Sequence, residues 1–306
     1  MSSEDVKSKV PDPETTPAPT PPPFSSLVTV DVHGASHRGN VRENNEDHFL
    51  VLRGGRFLEP LQGNVRADIL FNRFDEVFYG IVVADGLGGA LGGEVASRRA
   101  IESLISIALH RPDWILRLGK PELYEVMWRM ADGFVRVHAA LLHDAAENPS
   151  LKGMATTMTL AVTLGDDLIL THVGDSRAYL LRDGHLKQLT RDHSVAQEMV
   201  DRGQVGQHDR LVRELRNVLN QALGAKALEC LPDVQHLKLS DGDRLLLCTN
   251  GLTDMVDAGS IEEVLKRDAP ARVIADTLLN LALGRGGRDN VTTVVATYSI
   301  PDAKQK

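Results

Sequence analysis

Cysteine is scarce in this chain of 306 residues. The two cysteines, Cys230 and Cys248, form no CxxC pair, so the sequence predicts neither a zinc site nor a disulfide framework. A reducing compartment suits this usage, and we expect a cytoplasmic protein.

Long hydrophobic runs and clusters of basic residues are also absent. No segment reaches the roughly 18 apolar residues that a membrane helix needs, and residues 1–26 contain no apolar core of a signal peptide. The net charge is -8, and no stretch is strongly basic. The sequence therefore argues against nucleic acid and against a membrane surface as the main partner.

Proline is concentrated at the amino terminus. Residues 1–26 hold seven of the 14 prolines and a single aromatic residue, Phe24. We expect this segment to be a disordered or polyproline-like tail that acts as a tether; a proline-rich ligand for a partner domain is the less favoured alternative. A folded domain is predicted over residues 27–300, followed by a short tail over residues 301–306.

The folded part reads as blocks of strands and blocks of helices. Alternating or apolar segments predict strands, and spacings of three and four predict helices over residues 92–109 and along the apolar stripe from Leu123 to Leu141. Two further helices are predicted at 260–267 and 270–283. The predicted strands are LVTVDV, HFLVL, VFYGIVVA, TTMTLAVTL, LILTHV, RAYLL, HLKQLT, RLLLCTN and NVTTVVATYSI. This arrangement indicates a layered α+β domain.

Oxygen-bearing side chains recur at strand ends and tight turns. Each one alone is typical of a turn or a helix cap. Strand ends on one side of a sheet can converge, however. Several such residues at strand ends are therefore less easily explained as turns and caps than one alone. The residues are Glu46, Asp47, Asp85, Asp175, Asn250 and Asp289.

Converging carboxylates resist ionising together unless a cation joins them. Mg²⁺ or Mn²⁺ suits such oxygen ligands, and the carbonyl of Gly86 could add one more because glycine allows close approach. Arg42 lies four residues before Glu46. Its guanidinium could hold phosphate oxygens, or it could form a salt bridge with the same acids.

Seven segments together resemble the metal-dependent Ser/Thr protein phosphatases of type 2C, in their bacterial form. They occur in the family's order and span about residues 30–298. The segments are GNVRENNEDHF, VVADGLGGALGGEVAS, GMATTMTLAV, THVGDSRAYLLRDGHLKQLTRDHS, RNVLNQALG, LLLCTNGLTDMV and GGRDNVTTVV. The resemblance implies a four-layer αββα sandwich, in which two antiparallel β-sheets are flanked by helices.

The resemblance also implies a two-metal site at one edge of the sandwich. Asp85 would bridge two Mn or Mg ions and Gly86 would offer its carbonyl; Asp289 would bind the first ion. Glu46 and Asp47 would bind the second ion directly or through water. Asp175 matches the position of a third, weaker ion in bacterial members.

The same resemblance gives roles to Arg42, which would hold the substrate phosphate, and to residues 191–223, which would form a flap beside the site. A bridging water would then attack phosphorus in phosphoserine or phosphothreonine. A cysteine nucleophile is excluded separately, because neither cysteine is followed by arginine six positions later.

The sequence departs from the family in two places. Asn250 stands where the family usually has a metal-binding aspartate, which removes one negative charge and should lower metal affinity. Leu87 and Ala90 stand where some relatives carry a histidine that donates a proton, so a metal-bound water or His193 would have to serve.

Three functions follow from this pattern. The favoured one is a phosphatase that acts on phosphorylated proteins, including a Ser/Thr kinase or its targets. The alternatives are a pseudophosphatase that only binds, which Asn250 favours, and a hydrolase of small phosphate esters.

Overall fold

The computed structural model describes residues 28–58, 74–110, 123–207, 209–228 and 230–300. The predicted tails, residues 1–26 and 301–306, lie outside the described residues, and the domain boundaries stay a prediction. In the described part of the chain, no helix is both long enough and apolar enough to cross a membrane.

Strands and helices alternate in blocks along the chain. The strands are β1 Thr29–His37, β2 Asp47–Leu58, β3 Phe74–Leu87, β4 Ala155–Thr156, β5 Met158–Leu164, β6 Asp167–Val173, β7 Arg177–Arg182, β8 His185–Gln188, β9 Asp233–Lys238, β10 Arg244–Cys248 and β11 Val291–Ser299. The helices are α1 Gly89–His110, α2 Leu123–Glu147, α3 Val195–Asp201, α4 Arg210–Leu215, α5 Asn250–Thr253, α6 Ala258–Leu265 and α7 Ala271–Gly284.

The strands form two antiparallel sheets. The first has the order β1-β11-β10-β7-β8, and the second has the order β2-β3-β5-β6-β9, with β4 added to the end of β3. Side chains of both sheets fill the space between them, among them Ile81 and Val83 from β3 and Leu247 from β10. The alternate residues of β3, Val82 and Ala84, pack against helices instead. Burial on both faces explains why the strand reads as one apolar run.

Helices cover both outer faces. Helices α1 and α2 pack on the second sheet, and α5, α6 and α7 pack on the first. The stripe on α2 is core as expected, with Met130 and Phe134 buried, although Leu123 at its start is exposed. The predicted four-layer αββα sandwich is confirmed.

Local differences from the sequence prediction concentrate near strand ends. Strand β3 continues two residues past Asp85, and the segment TTMTLAVTL breaks at Thr157 into β4 and β5. The break has a direct cause: the Thr157 N–H donates to the Asp85 carbonyl, and the Thr157 hydroxyl accepts from the Asp85 N–H. The edge strand β9, rich in polar residues, was not predicted.

Helices α3 and α4 lie within the predicted flap, residues 191–223. The flap's two ends are joined by backbone hydrogen bonds from Val195 to Val218 and from Asn220 to His193. The flap's limits and its role stay a prediction.

Candidate active site

A cleft of about 450 Å³ opens at the edge of the sandwich where the predicted strand ends meet. Seven of the eight predicted site residues line it, and Asp47 lies behind it, buried. The lining residues are Arg42, Glu43, Asn44, Glu46, Asp85, Gly86, Leu87, Gly88, Asp175, Asn217, Leu219, Asn250, Asp289 and Asn290.

Antiparallel pairing explains why residues far apart in sequence meet here. Asp47 at the start of β2 lies opposite Asp85 near the end of β3. Asp175 lies in the turn from β6 to β7, Asn250 begins α5 just after β10, and Asp289 precedes β11. Each position is at the same edge of the sandwich, so the two sheets jointly form the cleft.

Asp47 is held from the opposite sheet. Its Oδ2 accepts hydrogen bonds from the hydroxyls of Thr249 (2.8 Å) and Thr292 (2.7 Å). Burial raises the pKa of Asp47 to about 7, and the charges of Asp289 and Asp175 act in the same direction. Its Oδ1 is buried and has no hydrogen-bond partner among the described residues.

Asp85 is fixed through its backbone. Its carbonyl accepts from the hydroxyl of Thr156 at 2.8 Å and from the Thr157 N–H at 2.9 Å. Burial raises the pKa of Asp85 well above its ordinary value, and the charges of Asp47 and Asp175 raise it further. Ionising Asp85 beside these carboxylates is therefore costly without a cation.

Two glycines let α1 approach Glu46 closely. A Cβ at Gly86 would overlap the Gly93 carbonyl, and a Cβ at Gly93 would overlap the Glu46 carboxylate. The Glu46 carbonyl accepts from the Ser97 hydroxyl (2.5 Å) and from the Gly86 N–H (3.2 Å). Burial raises the pKa of Glu46, while Arg42 opposes this shift.

Arg42 forms an ion pair with Asp289, with Nη2 and Oδ2 2.8 Å apart. The salt bridge left open by the sequence is therefore present. The Arg42 side chain is 57% exposed and lines the cleft. An exposed pair of this kind is weak, so the guanidinium can exchange it for an incoming phosphate.

Asp175 and Asn250 contact each other directly. The Asn250 Nδ2 donates to the Asp175 Oδ2 at 3.2 Å. Burial raises the pKa of Asp175 to about 6, and the hydrogen bond from Asn250 opposes this shift. The other oxygen, Asp175 Oδ1, is buried without a partner in the described part of the chain.

Asn290 was missed by the sequence reading. Its Oδ1 accepts from the Glu46 N–H at 2.8 Å, and its Nδ2 donates to the carbonyls of Arg38 (2.9 Å) and Asn44 (2.8 Å). It thus fixes the loop that carries Arg42 and Glu46. Its position directly after Asp289 in GGRDN was the available signal.

His193 does not serve the cleft, which corrects the suggestion that it donates a proton there. It is 2% exposed and is not among the lining residues. Its Nδ1 accepts from the Gly174 N–H at 3.2 Å, which leaves Nε2–H to donate to Asp233, also at 3.2 Å. Both ring nitrogens are occupied, so its role is to hold the turn that carries Asp175.

The donor set fits hard divalent cations. Carboxylate and carbonyl oxygens suit Mg²⁺ and Mn²⁺, and the unpartnered oxygens of Asp47 and Asp175 are acceptors that nothing described here satisfies. Within the described ranges, no group of three or more His, Cys, Asp or Glu side chains is arranged to hold a metal ion without further ligands. Mg²⁺ usually takes only a few protein ligands, and water completes its coordination shell.

Comparison with known proteins identifies the family. The sequence model of protein phosphatase 2C matches residues 62–281, which is more than half of the chain. The chain belongs to the protein phosphatase 2C family. The resemblance inferred from the seven segments is thereby confirmed.

Two curated relatives of this phosphatase 2C chain come from bacteria. Serine/threonine protein phosphatase PstP of Mycobacterium tuberculosis is 36% identical over 264 residues, which are 85% of this chain but only 43% of PstP. The chain therefore spans less than half the length of that relative. Serine/threonine phosphatase stp of Listeria innocua is 31% identical, over 86% of this chain and 94% of stp.

Solved phosphatase structures have the same fold. The serine/threonine phosphatase of S. agalactiae matches with a TM-score of 0.70 and 28% identity, covering 89% of this chain and all of that one. The catalytic domain of PstP in complex with 2 manganese ions matches with a TM-score of 0.67 and 33% identity, covering 89% and 99%. These solved structures support the predicted four-layer fold, and the manganese ions are those of PstP.

Proposed function

We propose that this protein is a metal-dependent phosphatase that hydrolyses phosphoserine and phosphothreonine in proteins. The observation that carries the proposal is the convergence of Glu46, Asp85 and Asp289 with Arg42 in one cleft. Carboxylates that repel one another attract divalent cations, and an arginine beside them can bind a phosphate dianion.

The residues that would hold the ions are those predicted from the sequence. Asp85, the Gly86 carbonyl, Glu46 and Asp289 line the cleft and would hold the two ions, with Asp47 buried behind it. When bound, two divalent ions supply an activated water and neutralise charge on the phosphoryl group.

The protein's own residues then do three things. Arg42 releases Asp289 and donates parallel hydrogen bonds to two phosphate oxygens, which orients phosphorus for in-line attack. Asn290 and the backbone contacts of Asp85 keep the ligands in place. Water adds to phosphorus, the P–O bond to the side chain breaks, and the Ser or Thr oxygen takes a proton from water.

The cysteines offer no competing covalent route. Cys248 is fully buried, and burial raises the pKa of its thiol to about 12; burial also raises that of Cys230 to about 11. Neither residue lines the cleft. A thiol with such a pKa is almost entirely unreactive near neutral pH.

The pseudophosphatase and the small-ester hydrolase gain no support from the relatives. Those named above are all Ser/Thr phosphatases. We infer phosphorylated proteins as the substrates, including a Ser/Thr kinase or its targets, and a cytoplasmic location. These two points rest on the family and on composition.

The test is phosphate release from one phosphothreonine peptide and from p-nitrophenyl phosphate, each with Mn²⁺ and with EDTA. We expect Mn²⁺-dependent release from the peptide with the higher kcat/KM. Release from the small ester alone would favour the small-ester hydrolase. No release from either substrate at saturating Mn²⁺ would favour the binding module.

A further inference from the structure

The Asp175–Asn250 contact gives the departure at position 250 a specific meaning. Asp175 is 4% exposed. Its Oδ2 is 3.2 Å from the Asn250 Nδ2, and its Oδ1 has no partner among the described residues. Asp175 is thus a buried carboxylate that accepts one hydrogen bond from a side-chain amide. The family resemblance assigns this same side chain to a third, weaker ion.

The backbones on both sides of this contact are fixed. The turn before Asp175 is held by two hydrogen bonds between Gly174 and His193, one in each direction. Asn250 begins α5, where its carbonyl accepts from the Asp254 N–H at 2.8 Å. The two side chains therefore meet because the fold places them together.

The chemistry of an amide determines how it faces a carboxylate. An ionised carboxylate only accepts hydrogen bonds, so Asn250 must direct its NH₂ group at Asp175. An aspartate at position 250 would place two carboxylates at this short distance, where they repel each other unless they share a cation or a proton. The NH₂ group of Asn250 instead donates a hydrogen bond to the Oδ2 of Asp175.

We propose that Asn250 takes the place of a third ion: its NH₂ group occupies the Oδ2 of Asp175 by a permanent hydrogen bond, so that this protein binds two divalent ions at the cleft and no third one at Asp175. This inference rests on the proposed two-ion site. It assigns Asn250 as a positioning residue for Asp175, which differs from the ligand role that the sequence suggested.

The experiment counts ions and measures metal-free stability in four full-length proteins: wild type, Asn250→Asp, Asp175→Asn and the double variant. Bound Mn²⁺ is counted by equilibrium dialysis and by the EPR signal of free Mn²⁺. The melting temperature is measured in EDTA. Asn44→Asp is the matched control, because Asn44 is an exposed residue of the same cleft, whereas the side chain in contact with Asp175 is that of Asn250.

We expect wild type to bind two ions and Asn250→Asp to bind three. Asp175→Asn should remove the additional ion from Asn250→Asp and leave the count of wild type unchanged. In EDTA, Asn250→Asp should melt roughly 3–10 °C below wild type, because a charged hydrogen bond becomes a repulsion. The control should keep both the ion count and the melting temperature of wild type.

Two results would overturn the inference. One is a third ion in wild type that Asp175→Asn removes; the other is a metal-free melting temperature of Asn250→Asp equal to that of Asn44→Asp. Absence of any Mn²⁺ binding would remove the two-ion site and this inference with it. The expected ion counts without release of phosphate from the peptide would instead refute the proposed function alone.

Discussion

Asp47 and Asp85 lie directly opposite each other on β2 and β3, the one buried behind the cleft and the other lining it. Burial raises the pKa of both carboxyls, to about 7 for Asp47. The fold thus maintains an acidic pair whose ionisation it opposes. Binding a divalent cation is the natural way to stabilise that pair, and the predictions below follow from this relationship.

The metal-free protein should lose stability as the pH rises from about 4 to 7. The folded pKa of Asp47, about 7, lies above the value near 4 of an unfolded aspartate. The folded state therefore binds more protons in this window, and its stability falls until the folded pKa has been passed. Melting temperature in EDTA against pH measures the effect.

Asp47→Asn isolates this contribution. The variant should gain stability relative to wild type as the pH rises through the same window, and saturating Mn²⁺ should reduce the difference between the two proteins. A difference that does not change with pH in EDTA would contradict the assignment.

Asp85→Asn should separate stability from activity. Removing one charge from the repelling cluster should raise the metal-free melting temperature, whereas loss of the central ligand should lower kcat/KM on a phosphothreonine peptide by about 1,000-fold. Far-UV circular dichroism should be unchanged. Asp183→Asn is the matched control, since Asp183 lies in an exposed turn at φ 50°, a conformation that asparagine tolerates. If Asp85→Asn kept wild-type kcat/KM, the two-metal assignment would be wrong.

Arg42→Ala should mainly weaken substrate binding. Loss of charge-assisted hydrogen bonds to phosphate should raise KM by roughly 10- to 100-fold, with a smaller effect on kcat. Steady-state kinetics on one peptide at saturating Mn²⁺ give both values. Arg38→Ala is the control, because among the described residues the Arg38 side chain donates to the Glu43 carbonyl and is not part of the cleft lining. A fall in kcat at unchanged KM would assign Arg42 to the chemical step instead.

Asn290→Ala should destabilise the protein and loosen its ion site together. Three hydrogen bonds to the loop around Glu46 are lost, at a cost of roughly 2–4 kcal/mol. Urea unfolding in EDTA measures this cost, and Mn²⁺ titration measures the affinity. Asn290→Asp keeps the acceptor for the Glu46 N–H and should recover part of the affinity. Unchanged Mn²⁺ affinity in Asn290→Ala would show that the loop is held by other contacts.

The sequence was sufficient for the layers and for most of the site. Helical spacing on α2 predicts which of its faces is buried, and the continuous apolar run of β3 is typical of a strand buried on both faces. Asp85 and Asp289 could be found because each stands at the end of an apolar strand. Their convergence follows from antiparallel pairing within a layered domain.

Other features depend on contacts that one sequence does not display. The break at Thr157 comes from its hydrogen bonds to Asp85, 72 residues earlier. The polar edge strand β9 lacks a strong apolar pattern. The side chain of His193 is typical of a polar turn in sequence, and only the fold shows that it is buried against Gly174.

The hydrogen bonds from Thr249 and Thr292 to Asp47 join one sheet to the other directly behind the cleft. The spacing of the ligands is therefore a property of how the two sheets stack, and it is not set by any one loop. Leu247, two residues before Thr249, is buried between the sheets. We therefore expect affinity for a divalent ion to depend on packing between the sheets. A cavity made there should weaken ion binding at the cleft before the protein unfolds.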